Sequence, residues 1–220
     1  MTITPSMAFC MSAILFRRFL ARPLQVAYVL PSSKGLVRRV LDKMDFARAK
    51  VFVEFGAGEG CYTRELAKRL APDARLLVFE LDVHLAEHLR EQFKNDDRVV
   101  VYCQDAATFR DEMNNLGIRE ADYVISGIPF SYLDPKKKKE ILQAVHEGLT
   151  ADGQFLVYQV TTELKSHTRM FAAHEVEYFL ASIPPMFIVA CHKSEVTLRP
   201  KRSKRKPDKT KHRPREAAHS

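Results

Sequence analysis

The chain has only four cysteines, Cys10, Cys61, Cys103 and Cys191, and no two of them form a C-x-x-C pair. That scatter argues against a zinc site or a disulfide framework, leaves no metal expected, and points to a reducing compartment. No apolar run approaches the roughly eighteen residues that span a bilayer, so integral membrane insertion is not expected. A secretory leader is not expected either. Met7 to Leu20, MAFCMSAILFRRFL, lacks a small-residue cleavage site, and its arginines Arg17 and Arg18 follow the apolar run, with Arg22 close behind.

What is present is an ordinary globular composition, 46% hydrophobic over 220 residues, enough for one domain with a full core. The net charge of +8 is concentrated. Arg199 to Glu216 holds ten bases against Asp208 and Glu216; removing these from the 35 bases and 27 acids leaves a body with equal numbers of each. A proline-containing block of like charge with almost no apolar residues cannot bury enough surface to fold, so 199–220 is expected to be a disordered basic tail that meets polyanions, either anionic lipid or nucleic acid. A plain solubilising extension is the alternative. At the other end, 1–30 reads as an amphipathic segment: on a helix Phe9, Ala13, Phe16 and Leu20 share one side and Ser12, Arg18 and Arg22 another. Such a helix can lie in an anionic membrane interface, or pack on its own domain or a second copy. The folded domain is placed at 31–198.

That domain is organised around Val51 to Thr63, VFVEFGAGEGCYT. An apolar run carrying Glu54 leads into Gly56, Gly58 and Gly60 at alternate positions, followed by helix-compatible residues from Arg64 to Leu70. This predicts a buried strand, a tight turn and a helix start, with a nucleotide-like ligand against the glycines. The pattern is E-x-G-x-G-x-G, whereas the dinucleotide fingerprint is G-x-G-x-x-G. A carboxylate facing the turn repels pyrophosphate but can hold a cationic amino-acid end, which favours S-adenosylmethionine. The stretch resembles motif I of class I methyltransferases.

Two further acids sit where a nucleoside needs them. Arg75 to Phe79 is an apolar strand ending at Glu80, about twenty residues past the glycines, the spacing at which an acid meets ribose hydroxyls. Val99 to Cys103 is another β-branched run, followed by Gln104 and Asp105; in the methyltransferase family an Asp here reaches the adenine amino group. Each of these strands is followed by a helical stretch, Val83 to Lys94 and Ala107 to Leu116, giving the βα repeat of an open, mainly parallel sheet that binds ligands at strand carboxyl ends. A serine of Pro31-Ser32-Ser33 is expected to cap a helix from Lys34 to Met44 near the ligand. Lys136 to Lys139 opens a helix to Gly148 against the macrodipole, as a solvated face or a phosphate contact. Gln154 to Gln159, Val176 to Leu180 and Phe187 to His192 read as the last strands, the final one reversed. Met170 and Phe171 are possible lid anchors.

The acceptor side is read from Ala121 to Leu133, ADYVISGIPFSYL. Adenine amino-methylases place Asn or Asp, a residue, Pro and an aromatic at this strand end. Here Gly127 stands at the Asn position and Phe130 at the aromatic one, so the amide that holds a planar base is missing and an aromatic face suited to a methylated ammonium remains. With the amphipathic start, Pro31-Ser32-Ser33, VEFGAGEG and Ile183-Pro184-Pro185, this stretch resembles the bacterial phospholipid N-methyltransferases over about Phe16 to Lys193. The resemblance implies a Rossmann-like α/β class I methyltransferase fold with a seven-stranded, mainly parallel sheet, helices on both faces and an N-terminal amphipathic helix that binds the bilayer. It implies S-adenosylmethionine bound by Ser33, Glu54, Gly56, Gly58, Gly60, Glu80, Leu81, Asp105, Ala106 and Ser126, with Ser126, Phe130, Tyr132 and Tyr158 around the acceptor. The implied activity is stepwise methylation of phosphatidylethanolamine and its mono- and dimethyl forms toward phosphatidylcholine, in the cytoplasm at the inner face of the membrane, with anionic membrane as partner. The alternatives are an RNA adenine N6-dimethyltransferase, favoured by the basic tail, and a cofactor-binding fold turned interaction module.

Overall fold

The computed structural model describes residues 33–162, 164–182 and 185–194. The amphipathic segment at 1–30, Ile183, Pro184 and the basic tail lie outside the described residues. In chain order the elements are α1 (Lys34–Leu41), β1 (Val51–Phe55), α2 (Cys61–Arg69), β2 (Arg75–Phe79), α3 (Val83–Phe93), β3 (Val99–Tyr102), α4 (Phe109–Asn115), β4 (Ala121–Ser126), α5 (Pro135–Gly148), β5 (Leu149–Gln159), α6 (Leu164–His167), β6 (Ala173–Phe179) and β7 (Met186–His192). Short 3-10 segments, Ala106–Thr108 and Phe130–Tyr132, precede α4 and α5.

The strands form one seven-stranded sheet in the order β3-β2-β1-β4-β5-β7-β6. All pairings among the first five are parallel, and β7 runs antiparallel to both its neighbours. This is the Rossmann-like class I methyltransferase fold. Its central strands are nearly continuous hydrophobic runs because both faces are covered. Phe52 points to the layer built by Leu36, Val40, Leu66 and Leu89, whereas Val53 and Phe55 point to the layer of Phe109, Met113, Ile141 and Val145. Helix α1 supplies its stripe at Leu36, Val37, Val40 and Leu41, spaced three and four apart.

The clearest departures from expectation are three element bounds and the place of one residue. Helix α1 stops at Leu41, since the amides of Lys43 and Met44 turn back to the carbonyls of Val40 and Leu41. Strand β5 starts early, at Leu149, which pairs with Ala121 before a register shift leads to Gln154 opposite Tyr123. Strand β6 starts at Ala173 because its polar residues have partners: Arg39 bonds Glu177, and Lys43 lies 3.6 Å from Glu175 and 3.3 Å from Glu177. Phe171, expected as a lid anchor, is core, stacked on Phe155 with its edge near His146.

Arg98 ties the two halves of one layer together. Its guanidinium donates to the Leu70 carbonyl at 2.8 Å and the Ala67 carbonyl at 3.1 Å, at the C-terminal end of α2, while Asp96 holds it at 2.7 Å. A cation there satisfies carbonyls that the helix leaves open and complements its dipole. The side chain is partly exposed, so replacing it with Met should cost about 1 kcal/mol and lower the melting temperature by roughly 2–4 °C. Thermal denaturation checks this; an unchanged melting temperature would mean water substitutes fully.

Candidate functional site

Parallel strands bring their carboxyl ends to one edge, and Glu54, Glu80, Asp105 and Ser126 all arrive there, at the ends of β1, β2, β3 and β4. The glycine turn follows β1. Gly56, Gly58 and Gly60 have φ of 67°, 57° and 77°, the left-handed region that other residues avoid. A Cβ on Gly60 would meet Leu89 at 2.6 Å, which lets α2 start hard against α3; a Cβ on Gly58 would meet nothing within 4 Å, leaving open space above the turn. The Gly56 amide donates to Phe79 O and the Gly58 amide to Glu80 Oε2, at 2.8 Å each, so the turn is pinned to the end of β2.

Glu54 is the unusual group. It sits in the apolar wall of β1 at 1% exposure. Thr63, in the first turn of α2, donates to its Oε2 at 2.7 Å, while Oε1 is buried with no hydrogen-bond partner. Burial pushes its carboxyl up to about 8, opposed by the Thr63 hydrogen bond and reinforced by nearby Glu80. A buried acceptor without a donor is what a cationic ammonium would satisfy. Glu80 is held by two amides, Gly58 to Oε2 and Asp82 to Oε1 at 3.0 Å, and each oxygen keeps a lone pair for a hydroxyl. Beside it Leu81 is 67% exposed, an apolar surface at the mouth.

Asp105 is more heavily engaged than its sequence position suggests. Oδ1 accepts from Ala107 and caps the 3-10 turn containing buried Ala106; Oδ2 pairs with Lys137 at 3.0 Å. The lysine run is thus divided: Lys136 and Lys139 are exposed, Lys137 reaches Asp105, and Lys138 is buried. Ser33 does cap α1, its Oγ accepting from Leu36, but Gly35 beside it packs near Phe179 at the end of β6. Ser126 is fully buried, and its Oγ accepts from the Ile128 amide at 3.2 Å, closing the turn after β4.

On the acceptor side the expected aromatic face moves. Phe130 is 1% exposed and packs edge-on against Phe155 in the core, so its ring does not face a substrate. Residue 132 lies in the 3-10 segment Phe130–Tyr132, and its side chain is outside what is described. The exposed-side aromatic is Tyr158, half-buried on β5 and stacked on Tyr62 with centroids 4.2 Å apart. Desolvation, Tyr62 and Glu54 push its hydroxyl well above the usual tyrosine range. A Cβ built on Gly127 would lie 2.3 Å from Tyr158 Oη, 2.9 Å from its Cζ and 3.1 Å from the Gly56 carbonyl oxygen. The position that carries Asn in adenine amino-methylases is therefore filled by a tyrosine from the next strand.

The sequence profile of the family described as ribosomal RNA adenine dimethylase matches residues 31–141, half of the chain. The chain belongs to that family. Among its relatives, the ornithine lipid N-methyltransferase of Singulisphaera acidiphila is 32% identical over 63% of this chain and 72% of its own length. The ribosomal RNA small subunit methyltransferase A of Thermotoga petrophila is 32% identical over 51% of this chain; the match spans only 40% of that relative's length. The crystal structure of precorrin-6y C5,15-methyltransferase from Geobacter metallireducens superposes with a TM-score of 0.58 at 18% identity, covering 73% of this chain and 90% of the other, which shows the shared fold. This family member is a class I methyltransferase that uses S-adenosylmethionine. The glycine cradle, the orphaned Glu54 oxygen and the Glu80 carboxylate fit that cofactor. Among the described residues no cluster of three or more His, Cys, Asp or Glu could hold a metal, and no helix is long and apolar enough to cross a membrane.

Sequence reasoning missed Thr63, Lys137 and the Tyr62–Tyr158 stack. Lys137 had a signal, since four lysines opposing a helix dipole call for an anionic neighbour. Thr63 had none.

The Glu54 carboxyl yields a stability prediction. Its folded value of about 8 lies above the unfolded 4.5, so between these limits the native state binds more protons and stability falls as pH rises. The ligand-free wild type should lose melting temperature between about pH 5 and pH 8 more steeply than Glu54→Gln, which has no such proton. Parallel curves in scanning calorimetry would contradict the buried, donor-poor carboxyl.

Proposed function

We propose that the protein transfers methyl groups from S-adenosylmethionine to the primary amine of an aminolipid, phosphatidylethanolamine and its partly methylated forms in the first instance, at a membrane surface. The observation that carries this is the contact between Gly127 and Tyr158. An adenine N6 site at this strand end relies on a side-chain amide, and the space for any side chain at 127 is taken by the Tyr158 hydroxyl. What stands there is a neutral phenol. Held protonated by its surroundings, Tyr158 is no base, but its oxygen can accept from an ammonium or amine.

When bound, the cofactor supplies an electrophilic methyl for in-line transfer to nitrogen. The chain's part is positioning and desolvation. Glu54 would hold the cofactor's ammonium, and Glu80 its ribose hydroxyls. Exposed Leu81 and buried Ala106 would lie along the adenine, with Asp105 reaching its amino group beside Lys137. The amine must be neutral to react, and the wall made by half-buried Tyr158 backed by buried Tyr62 would lower its pKa by removing water. Alignment alone can supply up to several kcal/mol, about 7 or more in favourable geometry. The lipid reading is supported by the relative named as an ornithine lipid N-methyltransferase, by Tyr178 and Leu180 standing exposed at the end of β6 on the same edge, and by the arginine-edged apolar stretch Met7 to Leu20. Peripheral association with the inner face of the membrane follows from it.

A second reading is methyl transfer to ribosomal RNA adenine. The family description and most of the relatives, named as ribosomal RNA methyltransferases, weigh toward it, as does the run of bases from Arg199 to Arg215. Incubating the full chain with methyl-labelled cofactor, anionic vesicles containing phosphatidylethanolamine and, separately, total RNA decides between them. Label is expected in lipid; label in RNA alone sinks the lipid reading. Gly127→Asn should lose at least about tenfold in transfer, because Tyr158 must move and about 1.4 kcal/mol suffices for that factor. Wild-type rates in Gly127→Asn would remove the basis for the proposal.

A further inference from the structure

Large apolar side chains left in water are unfavourable, and here they are unevenly distributed. Among the described residues the four most exposed are Leu180 at 70%, Leu81 at 67%, Val83 at 54% and Tyr178 at 51%. All four stand at the carboxyl edge. Leu81 and Val83 follow β2, Val83 as the first residue of α3. Tyr178 and Leu180 bracket the end of β6, which runs parallel to β5 because both are antiparallel to β7. The Tyr178 ring is held by stacking on Phe187, with centroids 4.7 Å apart. In the strand order β2 and β6 are separated by β1, β4, β5 and β7, which puts the two apolar flanks about 24 Å apart. The glycine turn after β1, Gly127 after β4 and Tyr158 on β5 lie between them.

The exposed side chains that open α5 between the flanks are basic. The ion pair from Lys137 to Asp105 fixes the start of α5 at this edge, and Lys136 and Lys139 beside it are exposed. Two acids nearby are helix N-caps, where the helix dipole offsets their charge: Asp82 accepts from the His84 and Leu85 amides, and Asp134 from the Lys137 amide. We infer that the carboxyl edge is a bilayer-docking surface, with Val83 on one flank and Tyr178 and Leu180 on the other entering the headgroup boundary, and Lys136 and Lys139 between them meeting lipid phosphates. Apolar anchors combined with lysines suit an anionic bilayer. Nucleic acid would satisfy the lysines but leave Val83 and Leu180 in water. Docking on both flanks stands the sheet end-on to the membrane, so the open space above Gly58 and the Gly127–Tyr158 contact face the headgroups. The inference deepens the aminolipid reading and rests on it for the choice of a bilayer. It gives the folded domain a membrane contact of its own, separate from Met7 to Leu20.

The test compares backbone amide hydrogen exchange of the full chain, saturated with S-adenosylhomocysteine, with and without vesicles of phosphatidylethanolamine and phosphatidylglycerol. Vesicles should slow exchange at 81–84 and 178–182. They should leave 114–118 unchanged, since Leu116, 40% exposed, precedes β4 at the opposite edge. No protection at the flanks, or equal protection at 114–118, overturns the surface. Val83→Ser with Leu180→Ser should weaken partitioning into these vesicles about tenfold with S-adenosylhomocysteine affinity unchanged. Lys136→Gln with Lys139→Gln should weaken it by about the same factor and reduce its salt dependence. Wild-type partitioning in either double variant overturns the inference. Transfer assays separate the surface from the acceptor reading. With dihexanoyl phosphatidylethanolamine kept monomeric in water, Val83→Ser with Leu180→Ser should match the wild type, whereas on vesicles its rate should fall about tenfold; equal rates on vesicles count against the surface. Flank protection without methyl transfer to either lipid keeps the surface and sinks only the acceptor reading. Flank protection by total RNA, with none by vesicles, overturns the bilayer.

Discussion

A carboxylate inside an apolar wall is the constraint on which the rest of the site depends. Glu54 occupies a strand position whose neighbours on the same face are core residues, and it is held by one hydroxyl, from Thr63. Unpaired ionisation there is costly, so the group keeps its proton until about pH 8. The ligand-free protein thus stores a charge deficit that a cationic ligand relieves. The glycine turn, pinned through Gly56 and Gly58 to the end of β2, leaves open space through which such a ligand can approach.

On the proposed reading, the same edge would handle the second substrate with a different device. Two strands meet where Gly127 touches Tyr158, and the lack of a side chain on one is matched by a ring from the other. Tyr62, from the start of α2, backs that ring, so the helix that orders Glu54 through Thr63 also orders the Tyr158 ring through Tyr62. The proposed cofactor and acceptor positions would consequently share one unit, the first turn of α2. Loss of its packing would disturb both.

Much of this was legible in the sequence where a residue's role is local. Glycines at alternate positions forced the turn, apolar runs bounded by acids forced the strands, and Glu80 fell at the end of its strand by spacing alone. What escaped depends on contacts distant in sequence. Phe130 reads as a substrate face by motif, but Phe155, 25 positions on, draws it into the core. Strand β6 begins before its β-branched residues because Arg39 of α1 and Lys43 just beyond it supply cations to its glutamates. The glycine at 127 was legible as a missing amide; that Tyr158 fills its space was not, since strand pairing decides it.

The most direct test of the account is the number of protons released when S-adenosylhomocysteine binds near pH 7, obtained by titration calorimetry in buffers of different ionisation enthalpy. A Glu54 carboxyl protonated in the free protein and ionised against the ligand's ammonium should release close to one proton, and none in Glu54→Gln. Binding with no proton release in the wild type would mean that the buried carboxylate does not meet the cation, and the central claim would fall.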